Sequence, residues 1–233
     1  MRTHQLVLNW LETALAAGDL AVGDRLPGER ALAEQIGVSR ASVREGIRIL
    51  EAMGMVRAGV GSGPESGTVV TANPAAALSS ALRLHIASSH LAVADVVETR
   101  VMLESWTGLH ARAGAPSLEQ AGQLLDAMDD AGLDVADFLE LDTRFHVALA
   151  EAAGNSLINA MMASLRDSIR GYTLARARNV PSWENTACRL RGEHRAILAA
   201  VREGRSGDAG RLLAEHIRGY YRESEPAQQA AAG

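Results

Sequence analysis

Gly28-Glu29-Arg30-Ala31-Leu32-Ala33-Glu34-Gln35-Ile36-Gly37-Val38-Ser39-Arg40-Ala41-Ser42-Val43-Arg44-Glu45 decides how the N-terminal part of the chain folds. Residues 28–36 read as a short helix that stops at Gly37, because glycine accepts the positive φ of a tight C-terminal turn. Ser39 then stands where a side-chain oxygen caps the next helix by accepting from an exposed backbone N–H. That helix, over residues 40–53, sets Val43, Ile47 and Leu50 on one face, while Arg40, Arg44 and Arg48 recur every four residues beside it. One side packs and its neighbour is cationic.

Working outward, residues 4–17 place Val7, Trp10, Leu11, Ala14 and Leu15 at helical spacing and end near Gly18. A short link through Gly23 and Pro27 follows. After Gly54, Met55-Val56-Arg57 and Thr68-Val69-Val70-Thr71 have strand character, and Gly59, Gly61, Gly63, Pro64 and Gly67 between them predict a hairpin with a long tip. A helix, a glycine turn, an arginine-bearing helix and a hairpin make a winged helix-turn-helix over residues 1–72. Its second helix is slim enough for the major groove, where Arg40 and Arg44 can meet guanine edges or phosphates. Ser39 and Ser42 can donate to phosphates near the helix N-terminus, which favours anions, and Arg30 reaches the same strand. Three arginines alone would read as a solvated face. The ordered combination outweighs that.

The net charge of −5 at first opposes a nucleic-acid partner, but local distribution decides phosphate binding, and all 23 basic residues are forked arginines. The apolar fraction of 47% is ample for a packed core. A lone Cys188 forbids an internal disulfide and points to a reducing cytoplasm. No secretory leader and no run of about 18 apolar residues is present, so no membrane partner is expected.

From Ala75 onward helical periods replace strand signals. Ala72-Asn73-Pro74 marks the boundary, with a linker over 73–76, a helical bundle over 77–224 and a disordered tail over 225–233. Helices are predicted near 76–88, 93–113, 117–130, 134–153, 155–178, 183–203 and 206–223, with Asn155 as a cap. The fold class is therefore mostly α, a winged helix-turn-helix followed by an all-α bundle. Asp142 and His146, at i and i+4, lie beside the stripe Phe138, Leu141, Phe145, Leu149 and Ala152. His194 falls within Leu190, Ile197 and Val201, and His216 among Leu212, Leu213 and Tyr220. Singly, each histidine reads as a hydrogen-bonded core residue. Four converging titratable groups need a shared partner, and three nitrogens with one oxygen suit a divalent ion, zinc first, with nickel or manganese as alternatives. His4, His85, His90 and His110 show no such pattern. Arg100 shares a face with Val93, Val97 and Val101, an odd place for a charge without an anionic partner. That partner is either a bound carboxylate or Glu104, one turn on.

Leu26-Pro27-Gly28-Glu29-Arg30-Ala31-Leu32-Ala33-Glu34 followed by Ile36 to Glu45 resembles the DNA-binding head of GntR-type regulators. The resemblance implies operator contacts by Arg30, Arg40 and Arg44 and a phosphate contact by Ser39. The wing departs from the family pattern, because Gly59 to Gly67 is longer than the usual compact turn and contains Glu65. Residues 76–223 resemble the FCD effector domain of the FadR subfamily, with Val97 to Glu104 matching its early helix. That resemblance implies that Asp142, His146, His194 and His216 bind a metal with positions left open for a small carboxylate effector. It also makes Arg100 a candidate bidentate partner of the effector. The expected protein is a homodimer on a short inverted repeat in a double-stranded DNA operator, a repressor modulated by a small organic acid. A metal-dependent enzyme acting on such an acid is the rival, disfavoured because no free Glu or Asp stands as a general base and no nucleophile motif is found.

Overall fold

A computed structural model describes residues 3–59, 67–71, 73–130 and 132–224. The wing tip with Glu65 and the tail over 225–233 lie outside the described residues. The chain forms two compact units, Met1–Leu78 and Ser79–Gly233.

In the first unit, α1 (Thr3–Ala17), α2 (Glu29–Ile36) and α3 (Arg40–Ala52) precede the antiparallel strands β1 (Val56–Gly59) and β2 (Gly67–Val70), paired Val56 to Val70. Gly37 ends α2 at φ 77°, its N–H donating to Ala33 O. Ser39 caps α3, its Oγ accepting from the Ser42 N–H at 3.1 Å. Val7, Leu11, Leu32, Val43 and Leu50 fill an apolar core. Gly46 lets α3 lie against α1, since a Cβ there would come within 2.6 Å of Val7 Cβ. The segment predicted as a plain link adds a short edge to the hairpin: Leu26 N–H donates to Thr68 O and Val70 N–H to Asp24 O, both at 2.8 Å. Three residues are too few to show a strand's alternation.

α4 (Pro74–Ala87) starts inside the segment expected to be a linker. Proline suits a first helical position, where its fixed φ is preorganised and its missing N–H is not needed. Then follow α5 (Val93–His110), α6 (Ser117–Ala127), α7 (Val135–Ala152), α8 (Ser156–Ser168), α9 (Arg170–Ala177), α10 (Trp183–Arg202) and α11 (Ser206–Glu223). Asn155 caps α8 as expected, accepting from the Leu157 and Ile158 N–H groups. The single helix expected over 155–178 is two helices, broken at Ile169 (φ −108°, ψ 9°). The Ile169 side chain is buried with Val96, Val97, Val101, Leu165 and Ile217, while the Ser168 hydroxyl donates to Leu165 O at 2.8 Å. Burial and a side-chain bond to the backbone, rather than a proline, make this break.

One core joins α6, α7, α10 and α11 around Phe138, Phe145, Leu190 and Ile197. α5 and α11 approach closely at Gly108 and Gly210, where a Cβ on Gly108 would stand 2.6 Å from Gly210 N. Among the described residues no helix is long and apolar enough to cross a membrane.

Candidate metal centre and nucleic-acid interface

The residues expected to meet DNA share the exposed side of α2 and α3. Arg44 Nε donates to Glu29 Oε2 at 2.8 Å, and Arg40 Nη2 lies 3.7 Å from the same oxygen. Arg30 pairs with Glu34 across one turn at 3.6 Å. Ser42 Oγ donates to Thr3 Oγ1 at 3.1 Å and stands 3.0 Å from Ser39 Oγ, so both hydroxyls are tied to the start of α3. These pairs are solvent-exposed and weak, leaving the guanidinium groups free to exchange partners.

Within the bundle, Asp142 and His146 on α7, His194 on α10 and His216 on α11 meet as their spacing predicts. The Nε2 atoms of His146 and His194 each lie 3.2 Å from His216 Nε2, and His194 Nε2 lies 3.0 Å from Asp142 Oδ1. One ligand atom from each of the four lies within 4.8 Å of the others. A tetrahedral ion with bonds of about 2.0–2.1 Å separates its ligand atoms by roughly 3.3 Å. His216 Nε2 already stands at that spacing from the other two nitrogens, while Asp142 Oδ1 lies 3.7 Å from His146 Nε2 and 3.9 Å from His216 Nε2.

The outer sides of two rings explain which nitrogen faces inward. His216 Nδ1 is 2.8 Å from Glu193 Oε2, and His146 Nδ1 is 2.5 Å from Glu104 Oε2. At His216 the Glu193 carboxylate holds the proton on Nδ1, leaving the Nε2 lone pair to ligate, whereas Glu104 stands against His146 Nδ1 as a charge contact without hydrogen-bond geometry. Two such lone pairs 3.2 Å apart repel unless a cation or proton lies between them. Burial pushes the His146 imidazole down to about 3, with the Arg166 charge acting the same way. Burial and the neighbouring His216 lower His194 as well. Both rings are therefore neutral, as metal ligation requires. Burial raises the Asp142 carboxyl, but Arg166, His146 and His194 override it and hold the group well below the ordinary carboxylate range. The donor set thus fits a divalent ion in identity and in the gathering of its four ligand atoms within 4.8 Å.

Arg100 is buried, and of the two partners expected for it the structure contains Glu104. Arg100 Nε donates to Glu104 Oε1 at 3.1 Å, and Nη1 donates to the Tyr221 hydroxyl at 3.1 Å. Arg100 also lines a cavity beside Asp142 and His216, together with Arg166, Thr173 and Tyr221. The cavity measures about 40 Å³, well below the ~150 Å³ that takes a benzene-sized guest. Sequence reasoning missed Arg166, Glu193 and Tyr221, which face the site from other helices. Only Glu104 carried a signal, one turn from Arg100.

Comparison with known proteins places these parts in one family. The FCD domain matches residues 95–219, and the family described as bacterial regulatory proteins, gntR family, matches residues 4–65. The HTH-type transcriptional regulator LutR of Bacillus subtilis is 31% identical over 206 residues, covering 86% of this chain and 91% of the relative. The Glc operon transcriptional activator of Escherichia coli is 25% identical over 225 residues, covering 92% of this chain and 85% of the relative. In fold, the chain is similar to a solved Streptococcus agalactiae GntR (TM-score 0.66, 23% identity, 95% of this chain and 99% of that one). With a helix-turn-helix head and a helical effector domain both matched, the chain belongs to the GntR family of bacterial DNA-binding transcriptional regulators, in its FadR-like branch that carries an FCD domain.

Proposed function

We propose that this regulator is a cytoplasmic homodimeric repressor that holds a short inverted repeat through Arg30, Ser39, Arg40, Ser42 and Arg44. A small carboxylate bound beside a metal ion at Asp142, His146, His194 and His216 modulates that grip. The convergence of these four ligand groups next to an arginine-lined cavity supports it most. Charge balance supports the anion. Arg100 and Arg166 bring two positive charges into the buried site, and Glu104 and Asp142 bring two negative ones. A divalent ion would leave these four groups with an excess of two positive charges, part of which Glu193 at His216 offsets and an acid reduces further. When bound, the ion supplies a Lewis-acidic point that a carboxylate oxygen can occupy. The chain's own part is orientation: Glu193 fixes one imidazole, Glu104 stands against another, and Arg100 and Arg166 offer forked donors to the acid. An effector shifts DNA affinity only by binding the DNA-competent and DNA-incompetent arrangements unequally.

The test is fluorescence anisotropy of the zinc-loaded protein on operator DNA over a salt series, with acetate, glycolate, L-lactate or succinate added in turn. At least one acid is expected to change the affinity, and unchanged binding with every acid counts against the sensor role. Replacing Arg40 and Arg44 together with alanine is expected to reduce the slope of log affinity against log salt by about 1.8, two phosphate contacts' worth. An unchanged slope and affinity in the folded variant would remove the proposed DNA interface. Transcription in vitro from an operator-bearing template gives the sign, repression being a fall in transcript.

A further inference from the structure

Glu104 belongs to two groups of contacts at once. Its carboxylate is 2% exposed and meets Arg100, Arg166 and His146, from three helices. Oε1 accepts from Arg100 Nε at 3.1 Å and from Arg166 Nη2 at 3.1 Å, while Oε2 lies 3.0 Å from Arg166 Nη2 and 2.5 Å from His146 Nδ1. Arg166 closes a ring, because its Nη1 donates at 2.8 Å to Asp142 Oδ2, on the carboxylate whose other oxygen faces the three histidine Nε2 atoms. Two guanidinium groups donating to it at 3.0–3.1 Å hold the Glu104 carboxylate as an anion. One negative charge therefore balances both cavity arginines and stands against one metal-site imidazole.

We propose that Glu104 is the positioning residue through which acid and metal ion feel one another, an inference that rests on the sensor reading above. An acid carboxylate that takes up donors of Arg100 and Arg166 leaves the Glu104 charge less neutralised. Glu104 then attracts the His146 Nδ1–H more strongly, and the opposite nitrogen becomes a better ligand for the ion. The acid tightens the metal, and by linkage the metal tightens the acid by the same factor. Direct attraction between ion and acid acts alongside this path and does not need Glu104. What Glu104 adds is the share of coupling lost when its charge is removed.

The experiment measures Zn²⁺ affinity of the full chain by chelator competition, with and without the acid of highest affinity among acetate, glycolate, L-lactate and succinate. It compares the wild type with Glu104→Gln. In the wild type the acid is expected to tighten zinc by about 5-fold or more. In Glu104→Gln, zinc affinity alone is expected to fall by about 10–100-fold, and the coupling factor to shrink toward one. A variant that binds both ligands with the wild-type coupling factor overturns the proposal. Because Glu104→Gln strips two buried arginines of a counter-charge and can fail to fold, a second measurement uses the wild type alone. In ¹⁵N-histidine-labelled, zinc-loaded protein, the Nδ1 proton of His146, assigned by its absence in His146→Gln, is expected to move downfield when the acid is added. A stationary resonance at saturating acid overturns the proposal. A wild type that binds no zinc, or none of the acids, removes the sensor reading itself and this inference with it. Binding of both without a Glu104 effect removes only the inference.

Discussion

Glu29 stands between the two arginines proposed to enter the groove, 2.8 Å from Arg44 and 3.7 Å from Arg40. Each guanidinium must release this carboxylate before it takes a phosphate. Exposed ion pairs of this kind contribute about 0.2–1 kcal/mol. Glu29→Gln is therefore expected to raise affinity for duplex DNA by about 1.5- to 5-fold at low salt, with the gain shrinking as salt screens the pair. Anisotropy titration of wild type and variant at two salt concentrations measures it. A loss of affinity would mean that Glu29 aims Arg44 at the duplex rather than competing for it. Arg30 meets a like competitor in Glu34, one turn along α2 at 3.6 Å.

Between α5 and α11 the close approach depends on glycine. A methyl on Gly108 would meet backbone atoms of Ala209 and Gly210 at 2.6–2.8 Å, and backbone cannot rotate aside as a side chain does. Gly108→Ala must separate the two helices, at a cost of about 1–3 kcal/mol. α5 carries Arg100 and Glu104, and α11 carries His216 and Tyr221, so the variant is expected to lose zinc affinity along with melting temperature. Gly192 on α10 is the matched control, since nothing lies within 4 Å of its added methyl. Gly192→Ala is expected to stabilise by about 0.4–1 kcal/mol through helix propensity and the unfolded chain. Thermal melts of the two variants, opposite in sign, check the pair, and a neutral Gly108→Ala would show that the interface yields. The same elements show what a sequence reveals. Periodicity within one helix reports which side chains share a face, so Asp142, His146, His194 and His216 were legible as inward groups. The contacts from Arg166 to Asp142 and Glu104 span 24 and 62 positions between separate helices, where periodicity is silent. The break at Ile169 was hidden for a related reason. It is made by burial in a core shared with α5 and α11, not by a residue that forbids helix.

The two units differ in what they bury. Among the described residues the core of the first is apolar, whereas the second encloses Arg100, Glu104, His146, Arg166, His194 and His216. Separate cores predict two calorimetric transitions, and their responses to pH and ligand should part. His146, pushed down to about 3, and His194, also lowered, stay neutral in the native bundle at pH values where the unfolded chain's imidazoles take protons. The unfolded state then binds more protons, so this stability is complete above about pH 6.5 and drains as pH falls toward the folded values. Each such histidine removes up to ~1.4 kcal/mol per pH unit in that window. Glu104 and Asp142, held low by their arginine and histidine neighbours, add a further loss once pH drops below the ordinary carboxylate range. Lowering the pH from 7 to 5 is therefore expected to bring down the bundle transition of the metal-free protein more than that of the head. Zinc at about 100 times its dissociation constant adds ~2.7 kcal/mol to the state that binds it, and should raise only the bundle transition at pH 7. Operator duplex should raise the other. If zinc and duplex raise one and the same transition, the two cores unfold as a single cooperative body and the assignment of one ligand to each unit loses its thermodynamic support.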